Sequence, residues 1–419
     1  MAFREFIFAT LAIIVSIVAS LYSVEAYLRH AYHVSDLVTG YYPLGNSVAG
    51  TRIKMVQREY SIQLNFNNQG FRDKEFSFEQ DNERRILFLG DSFVEGTGVS
   101  VEKRASSLIE KILQQDVDGH FRVINAGQLA TNPISYFENL IQFGVALKPE
   151  WVVVGVFMGN DFQNGRASPA PQNYSVAESY VPRRTAREVL DYFSLGYLRV
   201  FIAGVRSGKP QLVKSEVTDK FWDYYFKEKI DRGFYIQKAG VAHSEYEAFE
   251  KLYSRDVLQD FYDGKLNPSY FLGAIYSQEG QIEQLYDASD IKNVVDVIRA
   301  MNVECFNRGI KLLVVTYPDI FQVAQEQYSH HLINTLHMSK VPERMYQLKD
   351  VRRNFLNDLA INKITHIDLT PALSANDYYL FDGHLNESGQ AIAARLIYGR
   401  LKSELSVGAQ RQINNMAYK

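Results

Sequence analysis

Apolar positions along the chain fall into three kinds of run, and each predicts a different element. The first is Phe6–Tyr22, FIFATLAIIVSIVASLY, 17 residues without a charge. It stands at the short end of the roughly 17–25 residues that cross a bilayer as a helix. Arg4 before it favours a cytoplasmic N-terminus, a bias that Glu5 weakens. Val24-Glu25-Ala26 offers the small residues of a signal-peptide cleavage site, so removal of the segment is the rival reading. The run is longer than the roughly 7–15 apolar residues of a signal peptide, which favours an uncleaved anchor over residues 1–28.

The second kind is a short apolar stretch ending at a turn residue. Arg85-Ile86-Leu87-Phe88-Leu89-Gly90, Val123-Ile124-Asn125-Ala126-Gly127, Trp151–Phe157, Lys311–Tyr317 and His366–Leu369 all have this form. Such runs read as strands, buried on both faces where they are continuously apolar, as in parallel sheets. The third kind repeats at helical spacing. Val101, Ala105, Leu108, Ile109 and Ile112 follow Ser100 as an N-cap; further helices are expected over Tyr136–Leu147 and Asp290–Gly309. A last helix sets Ile392, Leu396, Ile397 and Leu401 on one face. Strands alternating with helices predict one doubly wound α/β domain, residues 85–162 and 288–405. Residues 29–84 lack sustained periodicity and read as an extended juxtamembrane segment. The rhythm also breaks over 163–287, an aromatic-rich, locally helical insertion punctuated by Pro169, Pro171, Pro182 and Pro210.

Composition narrows the function. Of 419 residues, 46% are hydrophobic and 22% charged, ordinary globular proportions that exclude a disordered chain or a multi-span membrane protein. Lys and Arg (45) nearly balance Asp and Glu (48), so no basic excess points to nucleic acid. Cys305 is the sole cysteine, which excludes a disulfide framework and a cysteine-rich metal site. HExxH and EF-hand patterns are absent, and Gly96-x-Gly98 lacks the glycine that would complete a phosphate loop. The sequence calls for no metal and no cofactor.

Ligands of open parallel sheets bind where strands end and run into helices. Reading only those loops gives Gly90-Asp91-Ser92, Asn125-Ala126-Gly127-Gln128, Gly159-Asn160-Asp161 and Asp382-Gly383-His384. A hydroxyl, a turn glycine, an amide and an Asp–His pair are the parts of acyl transfer: nucleophile, oxyanion donors, base and orienter. In this order and at these places they resemble the four blocks of the SGNH (GDSL) hydrolase superfamily. Asn68-Gln69-Gly70-Phe71-Arg72 and Gly96-Thr97-Gly98-Val99 look like its membrane-anchored bacterial members. The resemblance spans about residues 67–161 and 311–401. It departs at one point, since the commoner family spacing is Asp-x-x-His and here one residue separates Asp382 from His384.

The resemblance implies a flavodoxin-like three-layer α/β/α sandwich with a parallel sheet, and esterase or acyltransferase activity on O-linked acyl groups. Ser92 would be the nucleophile, His384 its base and Asp382 the residue that orients the base. The oxyanion hole would combine the Ser92 and Gly127 backbone N–H groups with the Asn160 side chain. Asp91 and Asp161 are expected to hold their loops. Sequons stand at Asn173 and Asn386, and a glycan at the second would obstruct the site, which favours a bacterial periplasm. The expected protein is a single-pass inner-membrane esterase with its catalytic domain in the periplasm or outside the cell. It would remove acyl, chiefly acetyl, groups from a cell-envelope carbohydrate. Rivals are transfer of the acyl group to a polysaccharide, lipid or thioester hydrolysis, and a silent scaffold. For the insertion, Val189–Ile202 suggests a sugar platform or lid, a helix on the bilayer with Arg199 and Arg206 at the headgroups, or a cap on the sheet.

Overall fold

The structure is a computed structural model. It describes residues 2–34, 52–67, 69–79, 82–117, 119–162, 174–178, 212–214, 221–226, 228–278, 285–286 and 288–417, with isolated positions between 171 and 206. The strands are β1 (Tyr32–Val34), β2 (Arg52–Val56), β3 (Ser61–Asn65), β4 (Arg84–Leu89), β5 (Phe121–Asn125), β6 (Trp151–Phe157), β7 (Leu212–Lys214), β8 (Lys311–Tyr317) and β9 (His366–Asp368). Five of them form one parallel sheet in the order β5-β4-β6-β8-β9. Counted within that sheet the order is 2-1-3-4-5, that of flavodoxin-like folds.

The central strands alternate their side chains between two cores. Ile86, Phe88, Val153, Leu313 and Val315 face one, with Ile109 and Leu113 of helix α3 (Ala105–Asp116) and Ile397 and Leu401 of the C-terminal helix Glu387–Ala417. Leu87, Leu89, Val152, Val154 and Val314 face the other, against Val294, Ile298, Met301 and Cys305 of the helix Ala288–Asn307 and Val351 and Phe355 of the helix Glu343–Ile361. Burying both faces is why these strands read as unbroken apolar runs. Each such side chain contributes about 1.5–3 kcal/mol relative to exposure. Burial pushes the Cys305 thiol up to about 12. Two local expectations shift. Ser100 precedes a 3-10 turn, Val101–Lys103, and α3 begins only at Ala105. Leu396 is exposed, the small Ala393 and Ala394 packing in its stead.

Gly155 interrupts the β-branched run of β6 for a steric reason. A Cβ there would lie 2.3 Å from Val94 Cγ2, so its absence lets the short helix α2 (Ser92–Glu95) rest directly on the strand.

Helix α1 spans Ala2–Ala31, and its Phe8–Leu28 portion is the one stretch among the described residues long and apolar enough to cross a membrane. Phe8, Ile13 and Val15 are exposed, unlike the side chains of a core helix. The helix runs through Val24-Glu25-Ala26 without a break. Two contacts bring the insertion back to its C-terminal end: the Leu198 N–H donates to Glu25 Oε2 (2.8 Å), and β1 pairs antiparallel with β7.

Residues 29–84 are not a spacer throughout. β2 and β3 form an antiparallel hairpin whose Ile53, Met55 and Leu64 enter the core. The alternation Arg-Ile-Lys-Met and Ser-Ile-Gln-Leu-Asn carries that signal, in strands only five residues long. Beyond it Phe71 is buried, and the buried Arg72 donates to the carbonyls of Gly96 (2.8 Å) and Val99 (2.5 Å). Asp73 pairs with Arg104 and with Arg122 (3.2 Å) and accepts the Asn125 N–H (3.0 Å). Arg72 thus braces the loop that follows Ser92.

Most of 163–220 lies outside the described residues, including Asn173 and all of Val189–Ile202 except Leu198, Phe201 and Ile202. The remainder, Phe221–Gln278, forms five helices: Phe221–Phe226, Arg232–Ala239, His243–Glu250, Arg255–Tyr262 and Pro268–Gln278. Phe271 sits at their centre, edge-on to Tyr235 (4.9 Å between centroids) and Phe249 (5.4 Å). Edge-on rings are the favoured arrangement of aromatic pairs. This part of the insertion is a helical cap continuous with one core of the sheet.

Candidate active site

The turn after β4 aims Ser92. Asp91 caps α2, its carboxylate accepting the Phe93 N–H (2.9 Å), and Ser92 is the first residue of that helix. Gly96 ends it at φ +81°, a left-handed conformation that costs glycine little. Burial pushes the Asp91 carboxyl up to about 6.

The opposing loop is set by the cap of the C-terminal helix. Asn386 Oδ1 accepts the N–H groups of Ser388 (2.9 Å) and Gly389 (3.2 Å), and its amide donates to the Asn376 carbonyl (2.7 Å). Upstream, Tyr379 N–H donates to the His384 carbonyl (2.9 Å), and Gly383 N–H donates to the Tyr379 carbonyl (2.8 Å). Gly383 adopts φ +82°, the turn that brings residues on either side of it together. Asp382 Oδ1 and His384 Nδ1 consequently form a hydrogen-bonded pair despite the short spacing.

His384 Nε2 lies 2.7 Å from Ser92 Oγ. Three side chains from two ends of the chain are therefore in line, hydroxyl to imidazole to carboxylate. Burial opposes the imidazolium, but the charge and hydrogen bond of Asp382 outweigh it and raise the His384 pKa above its ordinary value. Burial likewise opposes the Asp382 carboxylate, which the His384 charge and hydrogen bond and the Tyr60 hydroxyl draw below its usual range. The ring of Phe93, 4.9 Å away, walls the imidazole.

In the role of base expected of it from the sequence, His384 must be neutral to accept a proton, so kcat/KM for a model ester should rise with pH on a limb governed by His384. With the pKa raised, that limb is expected to have its midpoint above about 6.5, the unperturbed imidazole value. A pH–rate profile with p-nitrophenyl acetate checks this. A midpoint below 6 would show an imidazole not paired with Asp382.

The expected oxyanion donors divide. Asn160 lines the same cavity as Ser92 and His384, and its buried Oδ1 has no hydrogen-bond partner. Ser92 N–H belongs to the first turn of α2, where helices leave amides unpaired. Gly127 differs from expectation. Its N–H donates to Asn125 Oδ1 (2.9 Å), which an oxyanion would have to displace. The Asn125 amide is itself fixed by Val94 O (2.7 Å) and Ser106 Oγ (2.8 Å). The lack of a side chain at Gly127 serves packing, since a Cβ would lie 2.4 Å from the Glu95 nitrogen. Asp161 holds its loop as expected, accepting the Phe157 N–H (2.9 Å) and the Tyr136 hydroxyl (3.0 Å).

Sequence reasoning missed the rest of the site. A cavity of about 270 Å³ opens over Ser92, walled by Met55 of β2 and by Phe221, Trp222, Tyr225 and Phe226 of the insertion. Tyr270, Tyr328 and Asp319 also line it, and among the described residues no lysine or arginine does. Trp222 Nε1 donates to Gln57 Oε1 (2.9 Å), tying the wall to the hairpin. Glu59 and Tyr60 of the hairpin turn bind the Asp382 loop directly. No group of three or more His, Cys, Asp or Glu side chains that could hold a metal occurs among the described residues.

No family model and no curated protein matches the chain. Solved structures do resemble it. A GDSL-like lipase from Bacteroides thetaiotaomicron is 9% identical, over 78% of this chain and 93% of that one, with a TM-score of 0.36. An acetyl xylan esterase is 12% identical, over 75% and 98%, with a TM-score of 0.36. An acetylxylan esterase from Geobacillus stearothermophilus is 11% identical, over 74% and 91%, with a TM-score of 0.35.

Proposed function

We propose that the chain is a serine ester hydrolase of the SGNH (GDSL) type, working through an acyl-serine intermediate. The observation that carries the reading is the contact of His384 Nε2 with Ser92 Oγ at 2.7 Å while Asp382 engages the other ring nitrogen. His384 takes the hydroxyl proton as Ser92 Oγ attacks the ester carbonyl. Asp382 keeps Nδ1 protonated and stabilises the imidazolium. The oxyanion that forms accepts from Ser92 N–H and the Asn160 amide, with Gly127 N–H joining if it leaves Asn125. His384 then returns its proton to the departing alkoxide. Water, deprotonated by the same imidazole, releases the acid and restores the serine.

The acyl donor of this reading is an O-acylated, chiefly O-acetylated, carbohydrate of a bacterial cell envelope, reached from a single-pass anchor in the inner membrane. Three features support it. Among the described residues no lysine or arginine lines the cavity to attract a phosphate or carboxylate, the wall is rich in aromatic rings that suit the apolar face of a neutral sugar, and one helix is apolar and long enough to span a membrane.

Labelling by a fluorophosphonate probe tests the chemistry. The full chain is expected to label, and His384→Ala to lose labelling because its hydroxyl stays protonated. Equal labelling of both would remove His384 from the mechanism. Incubation with an acetylated glycan, with and without an unacetylated acceptor, tests the outcome: free acetate identifies a hydrolase, whereas acetate appearing only on the acceptor identifies a transferase.

A further inference from the structure

We infer that the turn of the β2–β3 hairpin, Arg58-Glu59-Tyr60, is the positioning element of the Asp382–His384 loop, with Tyr60 orienting the Asp382 carboxylate. The inference rests on the Ser92–His384–Asp382 relay proposed above.

The turn grips the loop at four points. Glu59 Oε1 accepts the N–H of Leu380 (2.6 Å), and its Oε2 accepts those of Phe381 (2.8 Å) and Asp382 (3.2 Å). One carboxylate thus gathers three successive amides, much as a capping residue gathers those of a helix start. The fourth point is the Tyr60 hydroxyl, which donates to Asp382 Oδ2 (2.8 Å). Asp382 then has a separate donor on each oxygen, His384 on Oδ1 and Tyr60 on Oδ2. A carboxylate held at one oxygen can rotate, whereas one held at both has its plane fixed, and with it the orientation of the imidazole.

The ring of Tyr60 is itself packed, 4.7 Å from that of Tyr379, whose hydroxyl donates to the Gly98 carbonyl (3.0 Å) in the loop after Ser92. Burial and the neighbouring Asp382 raise the Tyr60 pKa well above its ordinary value, so the phenol stays a donor at any working pH. Arg58 extends the same turn into the insertion. Its guanidinium bonds Asp256 (2.7 Å) and Asp260 (2.5 Å) and lies 5.0 Å over the Phe381 ring. A single turn therefore joins the cap helices to the carboxylate that orients the base.

Tyr60→Phe keeps the ring and removes the donor. Because a hydrogen bond to a charged group is at stake, kcat for a model ester is expected to fall about 10–100-fold with KM within about twofold. The acid limb of the pH profile should also move upward, since a carboxylate that no longer shares its charge with Tyr60 stabilises the His384 imidazolium more. Gln63→Ala, on the exposed face of β3, is the hairpin control and should leave both unchanged. Glu59→Asp, which retracts the carboxylate by one methylene, carries the same test if Tyr60→Phe does not fold; it should lower kcat without raising KM. Wild-type kcat and an unmoved pH limb in whichever variant folds would overturn the inference while the wild type remains Ser92-dependent. Absence of esterase activity and probe labelling in the wild type would instead sink the proposed function itself.

Discussion

Ser92→Ala is expected to lower ester turnover by about 10⁴-fold or more while leaving the fold intact. The size of the loss follows from the proposed chemistry, in which the Ser92 hydroxyl forms the covalent intermediate. The mildness for stability follows from the turn. Asp91, not Ser92, caps α2, and Ser92 accepts the N–H groups of Gly96 and Thr97 through its backbone carbonyl at 3.0 Å, which alanine also provides. Circular dichroism melts should coincide with wild type, and single-turnover assays should show no burst of released alcohol. Turnover within tenfold of wild type would mean that the ester is attacked by something other than Ser92, such as a water activated directly by His384.

The second large effect concerns stability. Asp73 has a side chain only 2% exposed, bonded to Arg104 (1% exposed), Arg122 and the Asn125 N–H. Removing one partner of a buried ion pair leaves an uncompensated charge, at a cost of about 3–5 kcal/mol. Asp73→Ala strands the Arg104 charge in just this way, whereas Arg122 retains Glu110 (3.0 Å). The full chain in detergent should unfold at markedly lower temperature and lower urea concentration. The exposed pair Lys103–Glu387, whose side chains are 55% and 57% accessible, provides the contrast. Breaking it with Lys103→Ala should change stability by less than about 1 kcal/mol. If both variants unfolded together with wild type, the buried network would be ornamental to the fold.

What could be read from the chain, and what could not, follows from the range of the interactions involved. The sheet was legible because strands buried on both faces are continuous apolar runs, Trp151–Phe157 above all. Ser92, Asn160, Asp382 and His384 were legible because each stands in a short loop flanking such a run or a capped helix. The hairpin escaped notice because two five-residue strands give too few alternations to stand out, although Ile53, Met55, Ile62 and Leu64 have the right period. Glu59 and Tyr60 carry no local signal at all. Their partners lie 321 to 323 positions away, so their role exists only once the chain has folded. Gly127 is the opposite case, since a bond from its amide to the side chain two residues earlier competes with the oxyanion role and is local enough to be missed in a search for loops that meet. The cap Phe221–Gln278 was ambiguous because its helices are short and their aromatic residues pack against one another as well as against the sheet.

The solitary sulfhydryl at position 305 has a practical corollary. It sits in the interior with a pKa of about 12, so at neutral pH it offers almost no thiolate to an alkylating reagent. A cysteine introduced at a solvent-facing site such as Gln63 will be the sole thiol that maleimide reaches. Dyes or spin labels can therefore be attached to the hairpin, and distances to other parts of the protein measured, with the native residue left in place.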